Sequence, residues 1–469
     1  MEPMDFDYDD ETLNSVHRWE NMVRNHKRYF FDVEELEDII DYYMDTDDFN
    51  QASQVADYAA GIYPTATSIQ LRIAEILIDK GQPAKALTLL NKLEQLESGD
   101  YAVYLMKGSA LNMLGKARDA QRQFEKAISL ADEDKIGVLY EIGASFERIN
   151  QYKIAVKYFL KVLAMEPDNF YLYYDVAYCY DRLDDFDNSI AYYLKFLDED
   201  PFSEHVWYNL GIVYNRHDED EKAIEAYDYA LAIDPVYSSA LFNKANTLTL
   251  LNRYDEAVEA YQNFIDIEPD SAAAFCYLGE CYEKMNNDTT AMLCFAKSLT
   301  LDESFADAWY GMGIIYAQNE NYEEAVCNIL HALKLDKDNT EYTLALASTY
   351  ANMEMYPKAM KLFRHLVTLN PNDELIWDSF AQAHIQQQKF AEAQQIATEG
   401  LQKNPESALL RYHLAACYLL NDNRLQGLTI LKETLNLYPD DVKMFFELFN
   451  RANRDDEVMA LVHTIKKDL

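Results

Sequence analysis

One stretch of 32 residues, Glu204–Pro235, reads EHVWYNLGIVYNRHDEDEKAIEAYDYALAIDP. With Glu204 as position 1, Trp207 is at position 4, Gly211 at position 8, Ala223 at position 20 and Pro235 at position 32. Apolar residues three and four apart give each half of the stretch one buried stripe, as in an amphipathic helix. Because proline cannot continue a helix interior, it ends the second helix. The stretch therefore predicts a helix–turn–helix hairpin.

The same pattern returns every 34 residues. Trp207, Trp309 and Trp377 are separated by 102 and 68 residues, which are three and two times that period. Twelve blocks can be superimposed, and one extra residue intrudes, before Ile136. The blocks begin at Val33, Thr67, Tyr101, Ile136, Phe170, Glu204, Ser238, Ala272, Ala306, Thr340, Glu374 and Ala408. A chain that repeats in this way is a stack of small units, each of which buries its apolar face only against its neighbours.

The residue types at fixed positions explain the hairpin. Position 8 is Gly or Ala in eleven blocks and position 20 is Ala in ten, so two helices can approach closely at these places. Position 32 is Pro in eight blocks. Position 15 is Gly, Asp or Asn in nine blocks, and these residues favour a tight turn, so the break between the two helices falls there.

Trp, Leu-Gly, Tyr, Ala, Tyr and Pro at these offsets resemble the pattern of the tetratricopeptide repeat (TPR) family. The resemblance implies an all-α fold, an α-solenoid that forms a right-handed superhelix of about twelve helix–turn–helix repeats with terminal caps. We expect an acidic N-terminal tail and capping helix over residues 1–32, or alternatively a docking or dimerisation segment there. The twelve repeats then span 33–441, and a degenerate repeat with capping helices spans 442–469.

The net charge of −40 restricts the class of partner. Nucleic acid is a poor partner because no excess of Lys and Arg exists to release its counterions. Anionic membrane surfaces are disfavoured for the same reason. We expect most of the acidic side chains on the solvated outer faces of helices, where they aid solubility. The alternative is an acidic surface that attracts a basic partner.

Neither a catalytic constellation nor a cofactor motif is recognisable. The nine histidines are scattered without a metalloprotease spacing, and no phosphate-binding loop is present. The six cysteines form no Cys-x-x-Cys pair and are expected to be small buried hydrophobic residues. The acidic start of the chain does not resemble a secretory signal, and no apolar run is long enough to span a bilayer. We therefore expect a cytoplasmic protein that is not an enzyme and holds no cofactor or metal.

The resemblance implies a concave groove lined by positions 2, 5, 6, 9, 12 and 13 of the first helices. Position 5 is aromatic in five of six successive blocks, and Tyr171 and Tyr178 lie at positions 2 and 9 of one of them. The position-5 residues are Tyr140, Tyr174, Tyr208, Phe242, Cys276 and Tyr310. An aromatic ladder offers rigid contact area of the kind found in interface hot spots. Alternatively, these rings only reflect the abundance of tyrosine, which occurs 36 times.

Positions 13 and 6 add polar candidates. Arg148, Arg182 and Arg216 occupy position 13 in three adjacent blocks. They could bind carboxylates, or they could complement the helix dipole and neighbouring acids. Asn209 and Asn243 at position 6 could hydrogen-bond the backbone of an extended peptide, as asparagines do in some TPR proteins. Across the Phe170, Glu204 and Ser238 blocks, only Asn209 fits the dicarboxylate clamp of chaperone-binding TPR domains.

These observations predict a non-catalytic protein–protein interaction scaffold or adaptor. It would bind an extended peptide or a partner helix in the groove formed by residues 136–320. The alternative is an accessory or regulatory subunit of an enzyme or secretion complex that clasps a folded partner domain. The partner is expected to be a protein or peptide, and the sequence leaves the oligomeric state open.

Overall fold

The computed structural model describes residues 10–25, 29–132, 134–448 and 455–468, and within these ranges the regular structure is helical throughout. The acidic tail predicted at the N-terminus, residues 1–9, lies outside the described residues. None of the described helices combines the length and the apolarity that crossing a bilayer requires. The chain divides into two compact units, Met1–Pro235 and Val236–Leu469.

The first unit contains a capping helix and six hairpins, in which each even-numbered helix pairs with the helix that follows it. Its helices are α1 (Asp10–Asn25), α2 (Val33–Asp45), α3 (Phe49–Ile62), α4 (Thr67–Asp79), α5 (Pro83–Leu96), α6 (Tyr101–Met113), α7 (Ala117–Leu130), α8 (Lys135–Arg148), α9 (Tyr152–Met165), α10 (Tyr171–Asp181), α11 (Phe186–Glu199), α12 (Glu204–Arg216) and α13 (Asp220–Ile233). Helix α1 packs on the first hairpin, where Trp19 is buried with its ring centroid 6.3 Å from that of Phe31.

The second unit contains six further hairpins and a C-terminal segment. Its helices are α14 (Ser238–Leu250), α15 (Tyr254–Ile267), α16 (Ala272–Lys284), α17 (Asp288–Leu301), α18 (Ala306–Gln318), α19 (Tyr322–Leu335), α20 (Thr340–Asn352), α21 (Tyr356–Leu369), α22 (Glu374–Gln386), α23 (Phe390–Lys403), α24 (Ala408–Leu420), α25 (Arg424–Leu437), α26 (Val442–Leu448) and α27 (Asp456–Asp468). Val458 and Val462 of α27 are buried with Phe445 of α26 against the last hairpin. Each unit is thus an α-solenoid of stacked hairpins, as the repeat predicts.

The turn inside each hairpin lies at position 15. All twelve residues at this position have a positive φ, between 57° and 73°. Gly, Asn and Asp tolerate this left-handed conformation best, which explains the residue types in nine of the blocks. Glu320, Glu354 and Gln388 adopt it as well, because the backbone bonds that close the turn fix the conformation.

The small residue at position 8 lies against the ring at position 24 of the same hairpin. A Cβ atom added to Gly143 would lie 2.6 Å from Cε1 of Phe159, and one added to Gly211 would lie 2.5 Å from Cε1 of Tyr227. Phe159 and Tyr227 are themselves fully buried. The glycines therefore let a large aromatic side chain of the second helix pack directly on the backbone of the first.

Candidate functional site

The first helices of the hairpins form a curved inner face in the first unit. Nη1 of Arg148 in α8 lies 3.1 Å from Oδ1 of Asp79 in α4, although α6 lies between these two helices in the stack. Packed helices are about 8–10 Å apart, so in a flat row α4 and α8 would be separated by about 16–20 Å. Two side chains can bridge them only because the row is concave. Arg148 and Asp79, which both occupy position 13, therefore meet across α6.

Three of the predicted aromatic residues lie on consecutive inner helices of this unit, Tyr140 on α8, Tyr174 on α10 and Tyr208 on α12. Each ring contacts the position-24 ring of its own hairpin. The centroid distances are 5.5 Å from Tyr140 to Phe159, 5.8 Å from Tyr174 to Tyr193 and 6.1 Å from Tyr208 to Tyr227. Tyr140 keeps 36% of its surface exposed. The rings thus rest on the hairpin core on one side while part of their surface stays accessible.

Tyr171 and Tyr178 lie on either side of Tyr174 along α10. Tyr171 is 67% exposed and stacks on Phe170, with the centroids 4.2 Å apart. Tyr178 is half-buried and meets the ring of Tyr152 edge-on at 6.0 Å. Helix α10 therefore carries three of the predicted tyrosines, of which Tyr171 is the most accessible.

The three arginines at position 13 already have partners within the chain. Arg148 pairs with Asp79, and Arg216 pairs with both Asp181 and Asp184. The guanidinium carbon of Arg182 lies 5.6 Å from the ring centroid of Tyr152. A carboxylate ligand would have to displace these contacts. The arginines therefore stabilise the inner face through contacts within the chain.

Carboxylates on the same inner face were not singled out as ligand-binding candidates from the sequence. The pKa of Asp175 is raised to about 7, mainly by burial and also by the neighbouring Glu147, and a hydrogen bond with Tyr140 opposes this rise. Burial also raises the pKa of Glu141 and of Glu147, against the lowering effect of Arg148. Glu141 and Asp175 both occupy position 6 of their blocks, and Glu147 occupies position 12. Acidic residues at these groove positions are the sequence signal that could have indicated an acidic site.

The remaining predicted residues, Phe242, Asn243 and Tyr310, belong to the second unit. The Phe242 ring packs against Phe264 with the centroids 5.1 Å apart, and Asn243 is half-buried on α14. Tyr310 stacks on Tyr342 at 4.7 Å and donates a hydrogen bond to Oε1 of Glu341 at 3.1 Å.

An acidic group also lies on the inner helices of the second unit. The pKa of Glu280 is raised to about 7, mainly by burial and also by the nearby carboxylates Asp307 and Glu341. Among the residues that the structure describes, no group of three or more His, Cys, Asp or Glu is arranged to hold a metal ion. The inner helices of both units therefore combine aromatic rings with partly buried carboxylates.

Comparisons with known protein families match the repeated segments of the chain. Sequence models described as Tetratricopeptide repeat match residues 140–204, 204–237, 226–259, 306–339, 341–373 and 384–448, and one described as TPR repeat matches residues 245–286. Together these matches cover more than half of the chain. No curated protein sequence matches it.

Similar solved structures include a crystal structure of MamA protein, with a TM-score of 0.35 and 26% identity over 37% of this chain and 94% of that one. A second MamA crystal structure has a TM-score of 0.32 and 25% identity, covering 34% of this chain and 92% of the other. The crystal structure of the APC/C hetero-tetramer Cut9-Hcn1 has a TM-score of 0.42 and 14% identity, over 87% of this chain and all of that chain.

Proposed function

This chain belongs to the tetratricopeptide repeat family, which makes it a protein–protein interaction scaffold, and from that premise we propose that it binds an extended basic peptide without catalysing a reaction. The proposed site is the inner face of the first unit, formed by α8, α10 and α12. The peptide would lie across Tyr140, Tyr174 and Tyr208 and bring Lys or Arg side chains to the carboxylates between them.

One observation carries this proposal: Asp175 is a partly buried carboxyl group whose charged neighbour is a second carboxylate, Glu147, and whose hydrogen-bond partner is Tyr140. A cation supplied by a ligand would stabilise the charged form of Asp175. The exposed parts of the tyrosine rings suit the same ligand, because cations bind favourably over aromatic faces. Arg148 and Arg216 on this face pair with other acids, and Arg182 lies over the ring of Tyr152.

Random short peptides displayed on phage and selected against the full-length protein would test the proposal. We expect Lys- and Arg-containing peptides among those selected, and we expect Tyr174→Ala to weaken their binding at least about tenfold, equivalent to about 1.4 kcal/mol. Tyr174→Phe keeps the ring but loses the hydroxyl that accepts a hydrogen bond from Asn209, so it should weaken binding less than Tyr174→Ala does.

The matched control is Tyr229→Ala, which removes a half-exposed tyrosine from the second helix α13 of the same unit. Binding of the basic peptides should not change in this variant. If no basic peptide is selected, or if both alanine variants weaken binding equally, the proposed site is wrong. The absence of any selected peptide would instead favour the accessory-subunit alternative, in which a folded domain is clasped.

A further inference from the structure

A separate cleft lies between the second helices α7 and α9 of the first unit. Its volume is about 660 Å³. It lies at the one place where the 34-residue period is broken, since the extra residue falls in the connection between Leu130 and Lys135. A cleft of this size is within the range of known ligand pockets.

Three aromatic rings form the floor of this cleft. Phe124 and Phe146 lie with their centroids 5.7 Å apart, and Tyr158 stacks on Phe146 at 5.9 Å with an interplanar angle of 14°. Ile154 lines the same cleft and is 36% exposed. Phe124 and Phe146 are themselves buried, so the accessible apolar surface of the cleft includes Ile154 and the half-buried ring of Tyr158.

Lysines line the cleft beside this floor. Lys157 and Lys161 are exposed and lie one helical turn apart on α9, and Nζ of Lys161 is 4.6 Å from the ring centroid of Tyr158. The sequence of α9, YKIAVKYFLKVLAM, contains three lysines and no acidic residue. In a chain with a net charge of −40, this is a local concentration of positive charge beside an apolar cleft.

We propose that the cleft docks an acidic segment of a partner protein. An apolar or aromatic side chain of that segment would contact Ile154 and Tyr158 above the buried rings of Phe124 and Phe146, and carboxylates beside it would pair with Lys157 and Lys161. Charge complementarity selects this partner, because the rest of the chain repels acidic segments and the cleft does not. The site is distinct from the inner face and has the opposite charge preference, so the chain could hold two kinds of segment at once.

The same peptide selection tests this proposal through a different variant. We expect a group of peptides in which an aromatic or aliphatic residue is flanked by Asp or Glu. Lys157→Glu should weaken their binding at least about tenfold. Lys153→Glu changes the charge of the same helix by the same amount but does not line the cleft, so it should weaken binding less than Lys157→Glu does. Tyr174→Ala should leave these acidic peptides bound, which separates this result from the test of the inner face.

The apolar contact needs its own variant. Ile154→Ser should weaken binding of the acidic peptides several-fold, whereas Leu194→Ser, at a similarly exposed position on α11, should not. The proposal is overturned if no acidic peptide is selected, or if Lys153→Glu and Lys157→Glu have equal effects. It is also overturned if Ile154→Ser has no effect, because the attraction would then be a general charge effect without docking. Circular dichroism of each variant confirms that the fold is retained.

Discussion

Nδ2 of Asn209 donates a hydrogen bond to the hydroxyl of Tyr174, with 3.2 Å between the nitrogen and the oxygen. The position-6 residue of one block therefore holds the position-5 ring of the preceding block. The sequence places both residues among the groove candidates, but as separate columns with separate roles. In the structure they form one unit, in which the asparagine fixes the orientation of an aromatic side chain of the proposed site.

Replacing Asn209 should consequently affect binding through Tyr174. We expect Asn209→Ala to weaken the binding of the selected basic peptides about three- to tenfold, because the Tyr174 ring loses the hydrogen bond that orients it. Asn188→Ala, at an exposed position on α11, should have no effect. Fluorescence polarisation with labelled peptide would measure both. Equal affinities for the two variants would show that the orientation of Tyr174 is unimportant.

Replacing Arg148 tests whether the inner face binds a basic or an acidic ligand. Its ion pair with Asp79 is partly exposed, so Arg148→Gln should lower the free energy of unfolding by no more than about 1 kcal/mol. The variant removes a positive charge from the inner face and should therefore bind basic peptides more tightly than the wild type. If the arginines instead formed a carboxylate-binding stripe, basic peptides would be unaffected and acidic peptides would be lost. Titrations at low salt would reveal which of these occurs.

The raised pKa of Asp175 predicts a pH dependence of stability. In the folded chain this carboxyl keeps its proton up to about pH 7, whereas the unfolded chain loses it near the ordinary value of 3.8. The contribution of Asp175 to the free energy of unfolding therefore falls as the pH rises between these two values and is constant above them. Asp175→Asn removes this dependence. The free energy of unfolding of the variant minus that of the wild type should therefore increase by roughly 2 kcal/mol from about pH 5.5 to about pH 8.

Urea unfolding at both pH values would measure this difference, with Asp198→Asn, an exposed position on α11, as the control. The control should differ from the wild type by the same amount at both pH values. A difference for Asp175→Asn that does not change with pH would mean that the carboxyl is not held in its neutral form. Binding of the basic peptides should also strengthen as the pH rises through 7, since the charged carboxylate is the form that attracts a cation.

Gly143 tests the close contact that defines the hairpin. A methyl group at this position would lie 2.6 Å from a carbon of the Phe159 ring, so Gly143→Ala should lower the free energy of unfolding by about 1–3 kcal/mol. Gly61→Ala is the matched control, because no atom lies within 4 Å of the added group and alanine is favoured in a helix. The control should be neutral or slightly stabilising in thermal unfolding. Equal stability of the two variants would contradict the packing described.

The sequence alone predicted the hairpins closely, because each boundary has a local physical cause. The first helices begin within one residue of the predicted block starts, and the turn falls at position 15 in every block. Even Glu320 and Gln388, which do not favour a left-handed conformation, take it, because the repeat on either side determines the chain path. Sequence periodicity predicts the hairpins well because the same turn is formed twelve times along the chain.

The chemistry of the inner face was less predictable, because it depends on which side chains from different hairpins meet. The repeat places Arg148 and Asp79 at the same position two blocks apart, but it does not show that their side chains meet across the intervening helix. The burial of Asp175 likewise follows from its neighbours on the adjacent helices rather than from its own helix. The repeat pattern shows the extra residue before Ile136, but it does not show that a cleft lies between α7 and α9 next to this break.

Photo-cross-linking is the most direct measurement of where a basic peptide lies. Tyr178 on the inner helix α10 is replaced by p-benzoylphenylalanine, and in a second protein Leu194 on the outer helix α11 is replaced in the same way. A selected basic peptide should cross-link to the first protein and not to the second. Cross-linking at position 194 without any at position 178 would contradict the account, because the peptide would then bind outside the inner face.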